Sequence, residues 1–370
     1  MIQLPSDPIA SSQTATSTEI ENDGKFNADL AKKVLLGLPN PDPSLLDAMR
    51  SDSKLTREEM EELVKKVWEK RQIEIEKAAD EIEVPADMMT SLLLNLENAT
   101  STSDMLTILD DLEWLIGDLD NAQDFRKMGG IVPIVRLLNM TSSPKVQTKA
   151  AWVLGTAAKD IVQTQNEATE LGALSNLLNM IEPSKNDLQA QGKALYALGS
   201  LLRYNPSTQM VFERLQGMSS LAQTMDACVH VSETSTEGVI GTLKVMRKIT
   251  SLIGDLVREQ PRHQVLQDFF EKDWMHLFVN AVVTTSSHGN NDPSLRGDIM
   301  ETHEKIFETM MVLSPAIRSR STVQHLVGLL METRTLYEHW GTSEHDERSE
   351  ITREVIERLM STLGSHHEGL

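Results

Sequence analysis

The chain has 370 residues, of which 40% are apolar and only 4% are aromatic. Because Leu, Ala, Met and Ile supply most of the apolar volume, this composition favours helix packed on helix over a sheet sandwich. Lys and Arg number 35 against 55 Asp and Glu, which gives a formal net charge of −20. Most of such a surface repels a phosphate backbone, so we expect no nucleic-acid partner.

A single cysteine, Cys228, excludes an internal disulfide and any zinc site built from cysteines. It lies in the run LAQTMDACVHV, which predicts a small buried core residue and not a nucleophile. No stretch approaches the roughly 20 apolar residues of a membrane helix, so we expect no membrane partner. The sequence has no phosphate-binding glycine motif and no HExxH, which predicts no catalytic residue, no cofactor and no metal site.

The N-terminal residues 1–24 are polar, rich in Ser and Thr, and without periodicity. We predict that 1–55 is a disordered or loosely ordered region. Residues 1–24 also lack the basic and apolar segments of a signal peptide, which indicates either a cytosolic protein or the loss of a signal. Over 56–84 we predict a charged amphipathic helix that docks its apolar stripe on the main domain. That stripe consists of Met60, Leu63, Val64, Val67 and Trp68.

Three segments in the middle of the chain share one design, in which a glycine precedes a Leu-rich helix. Their glycines, Gly130, Gly172 and Gly217, lie 42 and 45 residues apart, and each is predicted to cap a short helix with a positive φ. A glutamine lies upstream of each glycine: Gln123, Gln165 and Gln209. Two further helices, AAWVLGTAA and KALYALGSLL, match each other 44 residues apart. This period is typical of armadillo and HEAT repeats, whose units bury their apolar faces by stacking.

We therefore predict an all-α fold, an armadillo/HEAT-like α-solenoid with flanking N- and C-terminal helices. The repeats are predicted over 85–285, with Pro144 and Pro206 as first helical residues after the N-caps Ser143 and Asn205. The polar stretch TTSSHGNNDPS over 284–294 is predicted to be a loop that ends the repeats. Residues 286–370 are predicted to form capping helices and a tail.

The run LDDLEWLIGDLDNAQDFRKMGG over 109–130 resembles the signature of the armadillo-type nucleotide exchange factors of DnaK-family chaperones. The segments AAWVLGTAAKDIVQTQNEATELGAL and ALYALGSLLRYNPSTQMVFERLQG are similar to the next two repeats of that family. DNAQD, SLLRYNP and KFNADL are closer to the lumenal branch, which acts on the chaperone BiP, than to the cytosolic branch. The C-terminal HEGL is a poor match to a KDEL-type retention tail.

This resemblance implies a monomeric co-chaperone of the endoplasmic reticulum lumen that binds the nucleotide-binding domain of BiP, promotes ADP release, and is not an enzyme. It further implies two groups of modified or binding residues. The chaperone-binding residues are Asp120, Asn121, Asp124, Trp152, Arg203 and Tyr204. The sequons of Asn98 (Asn-Ala-Thr) and Asn139 (Asn-Met-Thr) are candidate glycosylation sites.

Each of these residues also has a purely structural interpretation. Asp120 would cap the following helix, Arg203 would bond the carbonyls that end its own helix, and Trp152 would be buried packing. Two other functions remain open, a cytosolic exchange factor of the same fold and a general armadillo scaffold. An extended-peptide groove of the importin type is disfavoured, because WVLGTAA and YALGSLL lack the Asn ladder of that class.

Overall fold

A computed structural model describes residues 56–81, 84–185, 187–230, 235–259, 274–313, 320–340 and 354–361. The region 1–55, predicted to be disordered or loosely ordered, lies outside the described residues. The chain divides into two compact units, Met1–Glu83 and Val84–Leu370. Over the described residues there is no β-strand, and no helix combines the length and the apolar character that a membrane span requires.

The described part of the first unit is one helix, α1 (Arg57–Glu81). A reciprocal capping box begins it. The Thr56 backbone N–H donates to the Glu59 carboxylate at 2.8 Å, and the Glu59 N–H donates to the Thr56 hydroxyl at 3.3 Å. The Thr56 hydroxyl also donates to the Glu59 carboxylate at 2.9 Å, and the backbone bond and then this side-chain bond lower the pKa of Glu59. The side chain of Trp68 is 68% exposed, and the docking of the apolar stripe on the main domain stays a prediction.

The second unit consists of helices joined by short connections. In chain order they are α2 (Pro85–Asn98), α3 (Thr102–Leu115), α4 (Leu119–Lys127), α5 (Ile131–Leu137), α6 (Pro144–Ala158), α7 (Val162–Glu170), α8 (Ala173–Met180), α9 (Leu188–Leu202), α10 (Pro206–Arg214), α11 (Gly217–His230), α12 (Thr236–Glu259), α13 (Trp274–Asn291), α14 (Arg296–Leu313), α15 (Arg320–Trp340) and α16 over 354–361. Short 3₁₀ turns lie at Pro183–Lys185 and Pro293–Leu295.

Three consecutive repeats of three helices form the centre of this unit: α4 to α6, α7 to α9, and α10 to α12. Two short helices in each repeat precede a long one, except that α11 has 14 residues. The long helices α3, α6, α9, α12 and α14 pack side by side in chain order and form a row. The predicted all-α, armadillo/HEAT-like solenoid is therefore confirmed.

The residues that precede the first helix of each repeat, Asp118, Ile161 and Asn205, lie 43 and 44 residues apart. Asn205 is an N-cap as predicted, since its side chain accepts bonds from the N–H groups of Ser207 and Thr208. Ser143 occupies the predicted N-cap position before Pro144, but its side chain makes no capping bond. The glutamines are not all equivalent: Gln165 and Gln209 are buried, whereas Gln123 is one residue out of register and exposed.

Two of the three repeat glycines have a different role from the one predicted. Two residues after the ends of α4, α7 and α10, the left-handed residues are Gly129 (φ +79°), Gly172 (φ +85°) and Gln216 (φ +56°), so the positive φ predicted for Gly172 is confirmed and that predicted for Gly130 and Gly217 was wrong. Those two glycines are needed because a Cβ atom there would lie 2.4 Å and 2.2 Å from the rings of Phe125 and Phe212. In the middle repeat the ring is replaced by Ala168, and Ala173 takes the place of the glycine.

The stretch 284–294, predicted to be a loop, is helical as far as Asn291, where α13 ends, so the loop prediction was wrong. Thr285 is buried, and its hydroxyl lies 2.6 Å from Nε2 of His303 on α14. The other ring nitrogen of His303 is hydrogen-bonded to the hydroxyl of Tyr337 on α15. Burial lowers the pKa of His303 to about 3, so the ring is neutral and ties three helices together. A domain limit at 285 stays a prediction.

We expect Asn205→Ala to lower the free energy of unfolding by about 2–3 kcal/mol. The substitution removes two capping bonds and the bonds that Nδ2 donates to Gln165 and Asn166 at 3.0 and 2.9 Å. Ser143→Ala is the matched control, because Ser143 holds the same position before a proline without a capping bond, and it should cost less than about 1 kcal/mol. Urea unfolding measures both. Equal losses would contradict the role given to Asn205.

Candidate functional site

The predicted signature turn lies between α3 and α4. Asp118 caps α4, because its carboxylate accepts bonds from the N–H groups of Asp120 and Asn121 at 2.9 and 3.3 Å. The interpretation of Asp120 as that N-cap was therefore wrong, and the Asp120 side chain is exposed. Asn121 donates from Nδ2 to the Leu115 carbonyl at 2.9 Å, which ties the turn to the end of α3.

Asp124 lies one turn further along α4 and is partly exposed. Its carboxylate forms an ion pair of 2.7 Å with the ammonium group of Lys127, three residues later on the same helix. Both side chains are open to solvent, so this pair contributes little to stability. The three polar residues predicted in the turn thus differ in their availability: Asp120 and Asp124 reach solvent, whereas the Asn121 amide already bonds the backbone.

Trp152 lies on α6, in the row of long helices, and is half-buried. The ammonium group of Lys193, on α9, lies 3.1 Å from the centroid of the Trp152 ring, and that of Lys149 lies 4.0 Å from it. On the next helix of the row, α12, the Lys248 ammonium group lies 5.7 Å from the ring centroid of Tyr196. We call these five residues (Lys149, Trp152, Lys193, Tyr196 and Lys248) the lysine–aromatic strip.

The three lysines of the strip differ in how their charge is balanced. Lys149 is paired with Asp110 on α3. Lys193 and Lys248 form no salt bridge with any carboxylate in the part of the chain that the structure describes. Desolvation lowers the pKa of Lys193, and the nearby charge of Lys248 lowers it further, whereas the Glu113 carboxylate of α3 acts in the opposite direction. Desolvation also lowers the pKa of Lys248, as does the Arg203 guanidinium. The middle of the strip is therefore positive in an acidic protein.

A close contact between α6 and α9 positions Tyr196. Its ring lies over Gly155, where a Cβ atom would be 2.6 Å from two ring carbons. Its hydroxyl lies 3.4 Å from the hydroxyl of Thr156, which donates at 3.0 Å to the Glu113 carboxylate of α3. Side chains of three helices in the row are thus linked across the strip.

Arg203 and Tyr204 lie where α9 ends. The Arg203 guanidinium forms an ion pair of 2.7 Å with Asp255 of α12, so the expectation that it bonds the carbonyls of its own helix was wrong. Tyr204 is left-handed (φ +56°) and 75% exposed, and its N–H donates at 2.8 Å to the Glu259 carboxylate. The two residues lie beside a cleft of about 450 Å³ lined by Tyr204, Pro206, Asp255, Arg258 and Glu259.

Both sequon asparagines are exposed. Asn98 is the last residue of α2, and its side chain bonds the Leu94 carbonyl at 2.8 Å. Asn139 lies in the turn that follows α5. Cys228, in contrast, is buried, and burial raises the pKa of its thiol to about 12, which is the inert core residue predicted. Over the described residues no three His, Cys, Asp or Glu side chains are grouped to hold a metal ion.

Sequence reasoning selected Trp152 but missed the other four residues of the strip. The signal was present: KAAWVLG from Lys149 and KALYALG from Lys193 repeat a lysine, an aromatic residue and a glycine at the same spacing. Because positions i and i+3 share a helix face, each lysine lies beside its own aromatic residue. What the sequence does not show is that Lys193 reaches across to Trp152 on the neighbouring helix.

Comparison with known proteins identifies similar sequences. Residues 121–365 match the model of the SIL1/FES1/HPBP1 C-terminal domain. The nucleotide exchange factor SIL1 of Xenopus laevis is 26% identical over 270 residues, which cover 71% of this chain and 56% of the relative. SIL1 of Rattus norvegicus is 36% identical over 192 residues, 50% of this chain and 38% of the relative.

A further relative is the Hsp70 nucleotide exchange factor FES1 of Mycosarcoma maydis. It is 29% identical over 174 residues, which cover 47% of this chain and 41% of the relative. The chain thus spans about half the length of the relatives it matches. A crystal structure of an engineered protein has a TM-score of 0.53 at 12% identity, covers 75% of this chain and 98% of that protein, and supports the fold alone.

We expect Gly155→Ala to lower the free energy of unfolding by about 1–3 kcal/mol and to displace the Tyr196 ring. The new Cβ atom would also lie 3.1 Å from the Ala197 backbone, which cannot move aside easily. Gly192→Ala, on α9, is the matched control. Its nearest neighbour would be Lys248 Cε at 3.9 Å, so a gain in helix propensity of up to about 1 kcal/mol is expected. Urea unfolding measures the stability of both variants, and equal stability would refute the contact.

Proposed function

The chain belongs to the SIL1/FES1/HPBP1 family, and from this membership we propose that it is a nucleotide exchange factor for an Hsp70-class chaperone. The observation that carries the proposal is the extent of the family match, which begins in α4 and includes α6, α9 and α12 with most of the row. The proposed protein is a co-chaperone and not an enzyme. It promotes the release of a nucleotide that is bound by the chaperone and not by the factor itself.

The proposed mechanism is differential binding. The nucleotide-binding domain of the chaperone closes around ADP, and the row of long helices binds the open arrangement more tightly than the closed one. ADP and the factor then weaken each other by the same factor, because the coupling is reciprocal. A hundredfold effect on ADP affinity requires about 2.7 kcal/mol, which is within the range of measured allosteric couplings.

The proposal includes the six predicted chaperone-binding residues, four as direct contacts with the chaperone and two as residues that position their neighbours. Asp120, Asp124 and Tyr204 reach solvent and would touch the chaperone directly, and Trp152 would do so from within the strip. The bonds of Asn121 and Arg203 to their own chain would position their neighbours Asp120 and Tyr204. Tyr204 is the candidate hot spot, since it combines exposed aromatic area with a backbone fixed by Glu259.

For the partner we propose BiP, in the lumen of the endoplasmic reticulum. The similarity of DNAQD and SLLRYNP to the lumenal branch supports this choice, as does the exposure of both sequon asparagines. The likeness to FES1 of Mycosarcoma maydis favours, as a second candidate, an exchange factor of the cytosolic branch. The two candidates share the fold and the reaction but differ in the compartment.

We expect the protein to accelerate the release of a fluorescent ADP analogue from BiP by about 10- to 100-fold, more than from a cytosolic Hsp70. Stopped-flow fluorescence at saturating factor measures both rates. Tyr204→Asn should reduce the effect about tenfold, because Asn tolerates the left-handed backbone while the aromatic contact is lost. Met331→Ala, which changes an exposed side chain on α15, is the control and should have no effect. Unchanged ADP release with the intact protein would reject the proposed function.

The compartment has its own test. Protein isolated from its natural source should lose apparent mass on endoglycosidase treatment, because Asn98 and Asn139 are exposed acceptor sites that only the secretory pathway modifies. Asn98→Gln and Asn139→Gln should each remove one glycan, and the double variant should remove the shift. Absence of any shift in the unaltered natural protein, with full exchange activity, would favour the cytosolic candidate.

A further inference from the structure

Two ammonium groups of the lysine–aromatic strip, those of Lys193 and Lys248, form no salt bridge within the described chain, although the Glu113 carboxylate of α3 is close enough to raise the pKa of Lys193. Lys193 and Lys248 face the same surface of the row, and Lys244 precedes Lys248 by one helical turn on the same side of α12. The protein as a whole carries a formal net charge of −20, so these positive side chains differ in sign from the net charge of the chain. Such a patch needs a compensating anion when a partner removes water from it.

The two ends of the row have the opposite sign. Helix α3 carries Asp110, Asp111 and Glu113, of which Asp110 is paired with Lys149. Helix α14 carries four carboxylates: Asp298, Glu301, Glu304 and Glu308. Three of them are in ion pairs with Arg247 or Lys305. Both helices still have more acidic than basic side chains. The positive surface therefore lies on α9 and α12, and α6, whose Lys149 is paired with Asp110, separates it from α3. With neighbouring helix axes about 8–10 Å apart, it extends over roughly 20 Å between two acidic borders.

This width determines which anion fits. A long polyanion such as a nucleic acid, or a flat anionic membrane, would extend beyond the strip and meet the acidic side chains of α3 and α14. A small acidic patch on a folded protein would not. The Trp152 and Tyr196 rings, which lie between the ammonium groups, offer apolar contact to the carbon atoms beside such carboxylates.

We propose that the lysine–aromatic strip is the docking site for a compact group of carboxylates on the chaperone, with Lys193 and Lys248 as the residues that pair with them. This inference rests on the proposed function and adds the chemistry of the contact. The two ammonium groups attract an acidic partner before contact, and they disfavour partners whose facing surface is neutral or basic. The half-buried position of Lys193 keeps its charge close to the bound carboxylate, where water screens it poorly.

The test is a charge reversal, measured as the Kd for the nucleotide-free chaperone. Lys193→Glu with Lys248→Glu should raise the Kd by about 100-fold, and Lys193→Gln with Lys248→Gln by about tenfold. Lys193→Arg with Lys248→Arg should stay within about threefold of the unaltered protein, because the charge is kept. The matched control is Lys185→Glu with Arg214→Glu, which makes the same change in net charge at exposed positions outside the row and should leave the Kd unchanged.

A second readout is salt dependence. The Kd of the unaltered protein should rise between 50 and 300 mM NaCl more steeply than that of the Gln double variant, because two screened contacts are lost in the variant. Circular dichroism establishes that all variants are folded. The Gln variant is neutral and keeps two of the four methylene groups of each lysine, so it tests the loss of charge even where the Glu variant is destabilised.

The possible results distinguish a failure of the proposed docking site from a failure of the proposed exchange function. Equal Kd values for the unaltered protein and the Gln variant, while ADP release is still accelerated, would overturn the strip as docking site and leave the exchange function standing. Failure of the unaltered protein to accelerate ADP release would overturn the function itself. Binding of the strip to a DNA oligonucleotide or to vesicles of anionic lipid, at the ionic strength that supports chaperone binding, would also overturn the inference.

Discussion

The arrangement of the central repeats depends on how closely α6 and α9 approach each other. Gly155 leaves no room for a Cβ atom between the two helices, so the Tyr196 ring can lie directly on the α6 backbone. This contact fixes the spacing in the middle of the row and brings Lys193 over the Trp152 ring. A larger residue at this position would separate the helices, and the strip would become two unrelated helix faces.

Polar side chains provide the second constraint, at the ends of the long helices. The carbonyl groups that end α9 would be buried without partners if side chains did not reach them. Gln165 donates to the Ser200 carbonyl at 2.8 Å, Gln209 to that of Leu202 at 2.8 Å, and Thr208 to that of Leu201 at 2.7 Å. The Gln165 bond lies within the repeat α7 to α9, and the Thr208 and Gln209 bonds join that repeat to the next with a defined geometry, which apolar packing alone does not impose.

Much of this fold is visible in the sequence, because a repeat with a period of about 43 residues displays the same design several times. The helices, the proline positions and the N-cap at Asn205 follow from local rules that the structure obeys. The predictions that failed concern contacts between helices. Gly130 and Gly217 are conspicuous as glycines, yet the reason for them is an aromatic ring five residues earlier and not a left-handed turn.

The same limit applies to the loop predicted over 284–294 and to the candidate site. The hydroxyls of Ser286 and Ser287 donate to carbonyl groups of their own helix, and Thr285 also contacts His303 on α14, a partner that no local pattern indicates. Likewise, Trp152 could be selected because it is an aromatic residue. The lysines around it could not, because their contacts with the rings form only where α6, α9 and α12 pack side by side. Local propensity predicts elements well and the contacts between them poorly.

The alternation of charge along the row has a consequence for where a partner can bind. Acidic α3 and acidic α14 lie on either side of the basic middle, and an ion pair marks each border: Lys149 with Asp110 towards α3, and Arg247 with Asp298 and Glu301 towards α14. A partner shifted by one helix would place its carboxylates against like charges. The charge pattern therefore limits the position along the row at which the proposed acidic partner can dock.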